Sequence, residues 1–211
     1  MTTVALFLMT SVNSQNTRFG FKAGPNSNVF YLKSEGTGGS DSRYSLTKPG
    51  FHVGGVVDLG ISENFSIQPQ LLFNMKGGKI TLSGTETDFT FYTIDLPINL
   101  LYRHAGFFAG GGPNISYGVS AKGKATGGTE EDLYESTTLG GKFNRFEFGV
   151  NGTMGYQFES GFTLATNYTP GLSDIFKENS GTTGTIKSHN SAWSFSIGYV
   201  FGGSKPSAKK K

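Results

Sequence analysis

Three histidines, His52, His104 and His189, are the first residues to weigh for chemistry, because an imidazole can act as a base or a metal ligand near neutral pH. They fall on different segments, and no spacing joins them into a ligand set. His189-Asn190-Ser191 is the one enzyme-like triplet: a His two residues from a Ser could activate the hydroxyl as a nucleophile. Such a triplet arises easily by chance, and no orienting acid accompanies it. Gly110-Gly111-Gly112 has the glycine density of a phosphate-cradling loop but lacks the Lys-Ser/Thr ending and the helix that would follow. Lys22, Asp58, Asp95, Arg103, Arg145 and Glu147 stand among small polar residues. The expected role of these six is a set of interior ion pairs, since a buried charge must be partnered; a proton or ion path is the functional alternative. Lys22 and Asp58 are expected to lie near each other, pointing inward at one rim. No catalytic, cofactor-binding or metal site is assigned.

The elements that hold these residues show a two-residue period. Over 65–76 the odd positions are Phe65, Ile67, Pro69, Leu71, Phe73 and Met75, and the even ones are Ser66, Gln68, Gln70, Leu72, Asn74 and Lys76. One face apolar and the other polar is the strand signature. The same alternation recurs over 18–30, 50–61, 89–103, 107–121, 143–158, 162–169 and 192–201, which predicts eight strands. Pro69, Pro97 and Pro113 fall inside them and are expected at bulges or toward a rim, since each removes a ladder hydrogen bond.

The polar faces decide the environment. They consist of Gly, Ser, Thr, Asn and Gln with a few charges of both signs, whereas the outer face of a soluble barrel usually carries many Lys and Glu. Small uncharged polar residues suit a narrow hydrated interior, leaving the aromatic and aliphatic face to lipid. Phe65, Tyr92, Tyr102, Phe158, Phe162 and Phe201 sit near strand ends, as interfacial girdles require. The connections alternate long (31–49, 77–88, 122–142, 170–191) and short (62–64, 104–106, 159–161), as in outer-membrane barrels with tight periplasmic turns and longer extracellular loops. The predicted fold class is therefore all-β, an eight-stranded antiparallel up-and-down transmembrane β-barrel with both termini in the periplasm.

Composition agrees. Of 211 residues, 16% are charged, 14% are aromatic, 32 are Gly and none is Cys. That mixture favours strands and turns and excludes disulfides and thiolate metal sites. No run approaches the ~20 apolar residues of a membrane helix. Residues 1–16, with the short apolar run Val4-Ala5-Leu6-Phe7-Leu8-Met9, read as a secretory signal peptide. Residues 17–203 read as the barrel, and 204–211 as a disordered basic tail with no nucleic-acid role.

The stretches Phe19-Gly20-Phe21-Lys22-Ala23-Gly24-Pro25-Asn26, Pro49-Gly50-Phe51-His52-Val53-Gly54-Gly55, Ile67-Gln68-Pro69-Gln70-Leu71-Leu72-Phe73 and Leu96-Pro97-Ile98-Asn99-Leu100-Leu101-Tyr102 resemble the PorT-like outer-membrane β-barrel family of Bacteroidetes. Phe108-Ala109-Gly110-Gly111-Gly112-Pro113 and Phe195-Ser196-Ile197-Gly198-Tyr199-Val200-Phe201-Gly202 do so as well. The resemblance implies an eight-stranded barrel in a Gram-negative outer membrane and carries over no catalytic motif. The namesake's link to type IX secretion does not transfer on fold alone. Barrels of this kind often end at the aromatic residue of the last strand, which the insertion machinery reads; here ten residues follow Phe201.

The expected function is a non-enzymatic integral outer-membrane barrel, structural or binding through its extracellular loops. Its expected partners are outer-membrane lipids and the barrel insertion machinery, with the extracellular ligand unknown and no cofactor. Two alternatives stand beside it. One is an outer-membrane lipid-modifying enzyme using His189 and Ser191, as some eight-stranded lipid A deacylases use a His-x-Ser pair. The other is an exported soluble ligand-binding barrel.

Overall fold

A computed structural model describes residues 17–36, 39–44, 46–82, 85–134, 144–173 and 184–202. The signal expected over 1–16 and the tail over 204–211 lie outside them. Among the described residues ten strands form one antiparallel sheet: β1 (Thr17–Gly36), β2 (Gly39–Tyr44), β3 (Leu46–Gly60), β4 (Phe65–Leu82), β5 (Thr85–His104), β6 (Phe107–Ala125), β7 (Glu130–Asp132), β8 (Phe146–Gln157), β9 (Phe162–Pro170) and β10 (Gly184–Val200). Each long strand pairs with its neighbours in sequence, and β10 pairs with β1, which closes the sheet. β2 continues along β1 beyond β3, and β7 is a short strand beside β6, so eight strands make the wall.

The register fixes the size. From Gly20 the pairing runs through Val56, Gln70, Pro97, Asn114, Gly149, Gly171 and Asn190 and returns to β1 at Phe30, ten residues further on. Eight strands with this stagger tilt by roughly 40° and enclose a lumen that side chains fill. The tilt leaves about 2.5 Å of height per residue.

Outward positions are large and apolar: Phe19 is 61% exposed, Leu71 58% and Phe107 66%. Inward positions are polar and buried, among them Asn28, His52, Asp58, Gln70, Asn99, Asn151 and Ser196. A soluble barrel would bury the first set and expose the second. From Phe65 to Met75 on β4, or Tyr92 to Tyr102 on β5, the apolar band is about 25 Å tall, the height of an outer-membrane barrel's lipid face. Aromatic pairs bound it. On the short-turn side are Phe65–Tyr102, with ring centroids 5.4 Å apart, Phe107–Tyr156 at 4.8 Å and Tyr156–Phe158 at 4.9 Å. On the other side are Phe73–Tyr92 at 6.0 Å, Tyr117–Phe146 at 5.0 Å and Tyr168–Trp193 at 4.6 Å. Above this second girdle Lys48 Nζ bonds Asp88 at 2.8 Å and Thr90 at 3.2 Å, and Lys122 pairs with Glu130 at 2.7 Å.

Several expectations need correction. Two of the long connections are largely strand. β1 runs on to Gly36 and pairs with β2, and β4 and β5 stay paired to Leu82 and Thr85, because a ribbon's backbone ladder needs no apolar alternation to persist. The expected strand at 143–158 is described from Phe146. The prolines do not mark bulges: Pro69 lies opposite Ile98, Pro97 opposite Asn114 and Pro113 opposite Val150, all in register. Each proline costs a bond locally, and the ladder resumes in the same register, as from Pro69–Ile98 to Leu72–Asp95. The register shifts fall at Lys48/Phe51 and at Tyr92/Thr93 instead. At the second, Val119 of β6 is the extra residue. It moves Ser120 into the outward phase of its partner Tyr92 and turns Ala121 inward.

Candidate functional site

The barrel interior gathers the residues capable of chemistry, in three tiers. At the short-turn end Asp58 of β3 is 1% exposed and ion-paired with both Arg18 of β1 and Arg103 of β5. The Arg103 guanidinium lies 3.0 Å from Asp58, donates to Ser66 Oγ of β4 at 3.0 Å and to Gln157 Oε1 of β8 at 2.9 Å, and packs over the Phe108 ring. A planar fork that donates in several directions suits this role, because it laces strands that are not neighbours in the sheet. Lys22, expected beside Asp58, lies four residues further along β1: its register partners are Gly54 and Gly198, while Asp58 faces Arg18. The four-residue separation of Arg18 and Lys22 decided which of them met the carboxylate.

The middle tier is uncharged except for Lys22. His52 Nε2 is 2.8 Å from Ser196 Oγ, which also accepts from Asn167 Nδ2 at 3.1 Å; Lys22 Nζ donates to Asn167 Oδ1 at 3.4 Å. On the β5–β9 side of the wall Asn151 Nδ2 donates to Asn99 Oδ1 at 2.9 Å and Thr169 Oγ1 to Asn151 Oδ1 at 2.8 Å. Successive inward residues of one strand also bond each other, as Gln70 to Gln68 at 2.8 Å and Asn114 to Ser116 at 3.1 Å. His52 and Ser196 form a His–Ser contact that sequence spacing could not reveal, since β3 and β10 are distant in the chain. Both are 2% exposed. That burial places the pair within the packed lumen.

In the third tier Lys76 Nζ of β4 lies 3.0 Å from Asp95 of β5, which also accepts from Thr93 Oγ1 at 2.8 Å. Glu147 of β8 faces the same space. Beyond it Phe89, Phe91, Ala121, Leu133 and Tyr134 form an apolar cap inside the long-loop rim, which the sequence reading did not foresee. Tyr134 fits there because its hydroxyl lies against Gly118, where a Cβ would collide. Arg145, expected inside the lumen, stacks over the Tyr134 ring at 4.3 Å and donates to the Gly118 carbonyl at 3.3 Å. Burial raises the Tyr134 phenol above its usual pKa. Asp95, Arg103 and Glu147 point inward as expected.

The remaining sequence candidates do not assemble. Asn190 is buried in the lumen, so Ser191 falls in the outward phase of Trp193 and Phe195, with Val29 and Pro170 opposite it. His189 lies opposite Tyr31 in the ladder, and its side chain lies outside the described residues. His104 is exposed beside the tight turn Ala105-Gly106. Gly110 and Gly112 are packing positions: a Cβ on either would meet a β5 carbonyl oxygen, of Leu100 or Ile98, at 1.9 Å. No cluster of three or more His, Cys, Asp or Glu suited to a metal occurs among the described residues.

Among solved structures, the attachment invasion locus protein Ail of Yersinia pestis is similar at 14% identity over 86% of this chain and 99% of that one, with a TM-score of 0.41. Neisserial surface protein A has 14% identity over 86% and 96%, with a TM-score of 0.46, and the outer membrane protease OmpT of Escherichia coli 10% over 90% and 98%, with a TM-score of 0.40. Similarity of this degree carries no functional argument. No curated protein matches the chain. The family described as outer membrane protein beta-barrel domain matches residues 13–177. The closed eight-stranded wall, its apolar outer face and this match together make the chain a member of that family, a β-barrel protein of the bacterial outer membrane.

Proposed function

We propose that this chain is a non-enzymatic barrel of the PorT-like kind, in which a rigid membrane-spanning wall presents the long-loop rim to the cell exterior as a binding surface. The observation that carries this reading is where free chemistry remains. The lumen is crossed by side-chain hydrogen bonds and ion pairs, and the outer face is apolar to the height of a membrane. The long-loop rim, with the paired arms of β1–β2 and β4–β5 and the outward ion pairs Lys48–Asp88 and Lys122–Glu130, is neither. Surface loops on a rigid scaffold are where binding residues concentrate.

In this reading the short turns and both ends of the barrel face the periplasm, residues 1–16 direct export, and the insertion machinery reads β10 and the aromatic residues at its end. The test is display. An epitope placed at 83–84, between β4 and β5, is expected to bind antibody on intact cells, and one at 159–160 only after the outer membrane is permeabilised. The opposite pattern overturns the orientation. Loss of a surface-binding phenotype on shortening the β4–β5 arm, with the barrel still folded, would then identify the working loop.

A further inference from the structure

On the long-loop side three strands run on together beyond the apolar band. β1 keeps its ladder with β10 up to Gly36–Gly184 and with β2 up to Gly36–Gly39. The register sets their residues in rows. His189, Tyr31 and Tyr44 form one row, and Lys187, Lys33 and Ser42 form the next row on the same face. Two-residue alternation makes this the outer face, since it carries Val29, Ser191 and Trp193 lower down. Lys33 and Lys187 are thus direct cross-strand partners, a placement that brings Cβ atoms within about 4.5–5.5 Å and disfavours two like charges. Among the described residues of the three strands, Glu35 is the acid on this face, one row further out and opposite Thr185 and Ser40. Elsewhere above the band lysines meet acids: Lys48 Nζ lies 2.8 Å from Asp88 and Lys122 Nζ 2.7 Å from Glu130. The level of the two opposed lysines is that of lipid headgroups. They stand four residues beyond Val29 and Ser191, about 10 Å along the barrel axis. The headgroup layer outside the hydrocarbon is roughly 5–8 Å deep, and a long Lys stem can reach back along a surface to it.

We propose that the outer face of this β10–β1–β2 arm is a binding site for a phosphorylated lipid headgroup of the outer leaflet, with the phosphate between Lys33 and Lys187. Phosphate oxygens accept charge-assisted hydrogen bonds from both ammonium groups and remove their repulsion. A phosphomonoester is taken before a choline headgroup, which would bring a third cation to the pair. A lipid fits better than a soluble anion because the face continues the lipid-facing surface of β1 and β10, one headgroup depth above it. The inference rests on the loop-binding reading only for the leaflet involved.

The experiment uses the full chain folded in phosphatidylcholine vesicles, with heat-modifiability as the check of folding. The probe is dibrominated phosphatidic acid, and dibrominated phosphatidylcholine is the reference. Bromine quenches Trp193, the one Trp of the chain, which lies on the outer face of β10 six residues from Lys187. The native barrel is expected to prefer phosphatidic acid by about fivefold or more. Lys33→Gln with Lys187→Gln is expected to bring the preference to about one, and the corresponding pair of Arg substitutions to keep it. Lys122→Gln, whose partner is Glu130, is expected to leave it unchanged. Should the double Gln variant give no heat-modifiable species, Lys187→Gln alone is expected to lower the preference. Both vesicle leaflets hold the same lipids, so a reversed orientation of the loops in cells does not alter the reading. Equal quenching by the two lipids in the native barrel, or a preference that survives the loss of both lysines, overturns the proposal. Soluble polyphosphate bound through the two lysines while the lipids go unsorted overturns it as well, and makes the face a site for a free polyanion.

Discussion

Replacing Leu71 with Arg puts the membrane assignment at risk directly. Leu71 points outward from β4 and is 58% exposed. At about 2.5 Å of height per residue it lies about 15 Å above Phe65 and about 10 Å below Met75, well inside the apolar band. An Arg there must desolvate its guanidinium or thin the bilayer around it, which costs about 2–4 kcal/mol near the midplane of a barrel's lipid face. The same change at Phe65, in the girdle, costs about 0–1 kcal/mol because the head reaches the interface. The larger loss corresponds to roughly a 30- to 800-fold change in the folding equilibrium. Urea unfolding of each variant in lipid vesicles, followed by Trp193 fluorescence and by the shift of the unboiled band on a denaturing gel, measures both. Equal costs at 71 and 65, or a stabilised Leu71→Arg in detergent-free buffer, would refute the argument, since an exposed apolar residue in water gains solubility from a charge.

Three further outcomes follow from the interior and the strand contacts. Asp58→Ala removes the carboxylate between two guanidiniums and is expected to destabilise the barrel by about 3–5 kcal/mol in the same urea assay; a loss below 1 kcal/mol would show that solvent already screens the node. Gly110→Ala places a Cβ against the Leu100 carbonyl and is expected to abolish the heat-modifiable band, whereas Gly127→Ala, with open space but φ of 80°, costs only about 1–2 kcal/mol. Ser191→Ala is expected to leave the lipid composition of vesicles containing the purified barrel unchanged by mass spectrometry; a lipid hydrolysis present in the native chain and lost in the variant would overturn the non-enzymatic reading.

The wall was legible in the sequence because alternation is a local property. Odd and even positions of 65–76 and 89–103 separate by chemistry, and the structure puts them on opposite faces. What sequence could not show depends on register between strands. Which cation meets Asp58 is set by the β1–β3 pairing, and Arg18 rather than Lys22 occupies that level. The His52–Ser196 contact joins β3 to β10, the two strands that flank β1, and leaves no trace in spacing. Phe89 and Phe91 continue the inward series of β5, but a reading that assigns every aromatic to the outer face overlooks them. The cap they form with Ala121 needs the Val119 bulge, which no residue type announces.

The direction of burial also limits where function can reside. In a soluble barrel the interior is the ligand's place, because an apolar lumen rewards any apolar molecule that enters. Here the lumen is lined with amides and hydroxyls, many of them bonded across it, so an entering solute must replace bonds such as Asn151–Asn99 and Arg103–Gln157 while gaining no apolar burial. Each exchange is close to neutral when bonds are replaced and costs about 1–3 kcal/mol when a partner is left bare. Only water or an ion that keeps part of its own shell escapes that cost. The outer face is excluded on the opposite ground, since a lipid-facing Leu or Phe already has an apolar solvent and gains little from a partner. On the proposed reading, selectivity for a larger molecule falls to the arms and loops above the Tyr92 and Tyr117 girdle, where polar side chains such as Lys48, Asp88, Lys122 and Glu130 form ion pairs outside the apolar band.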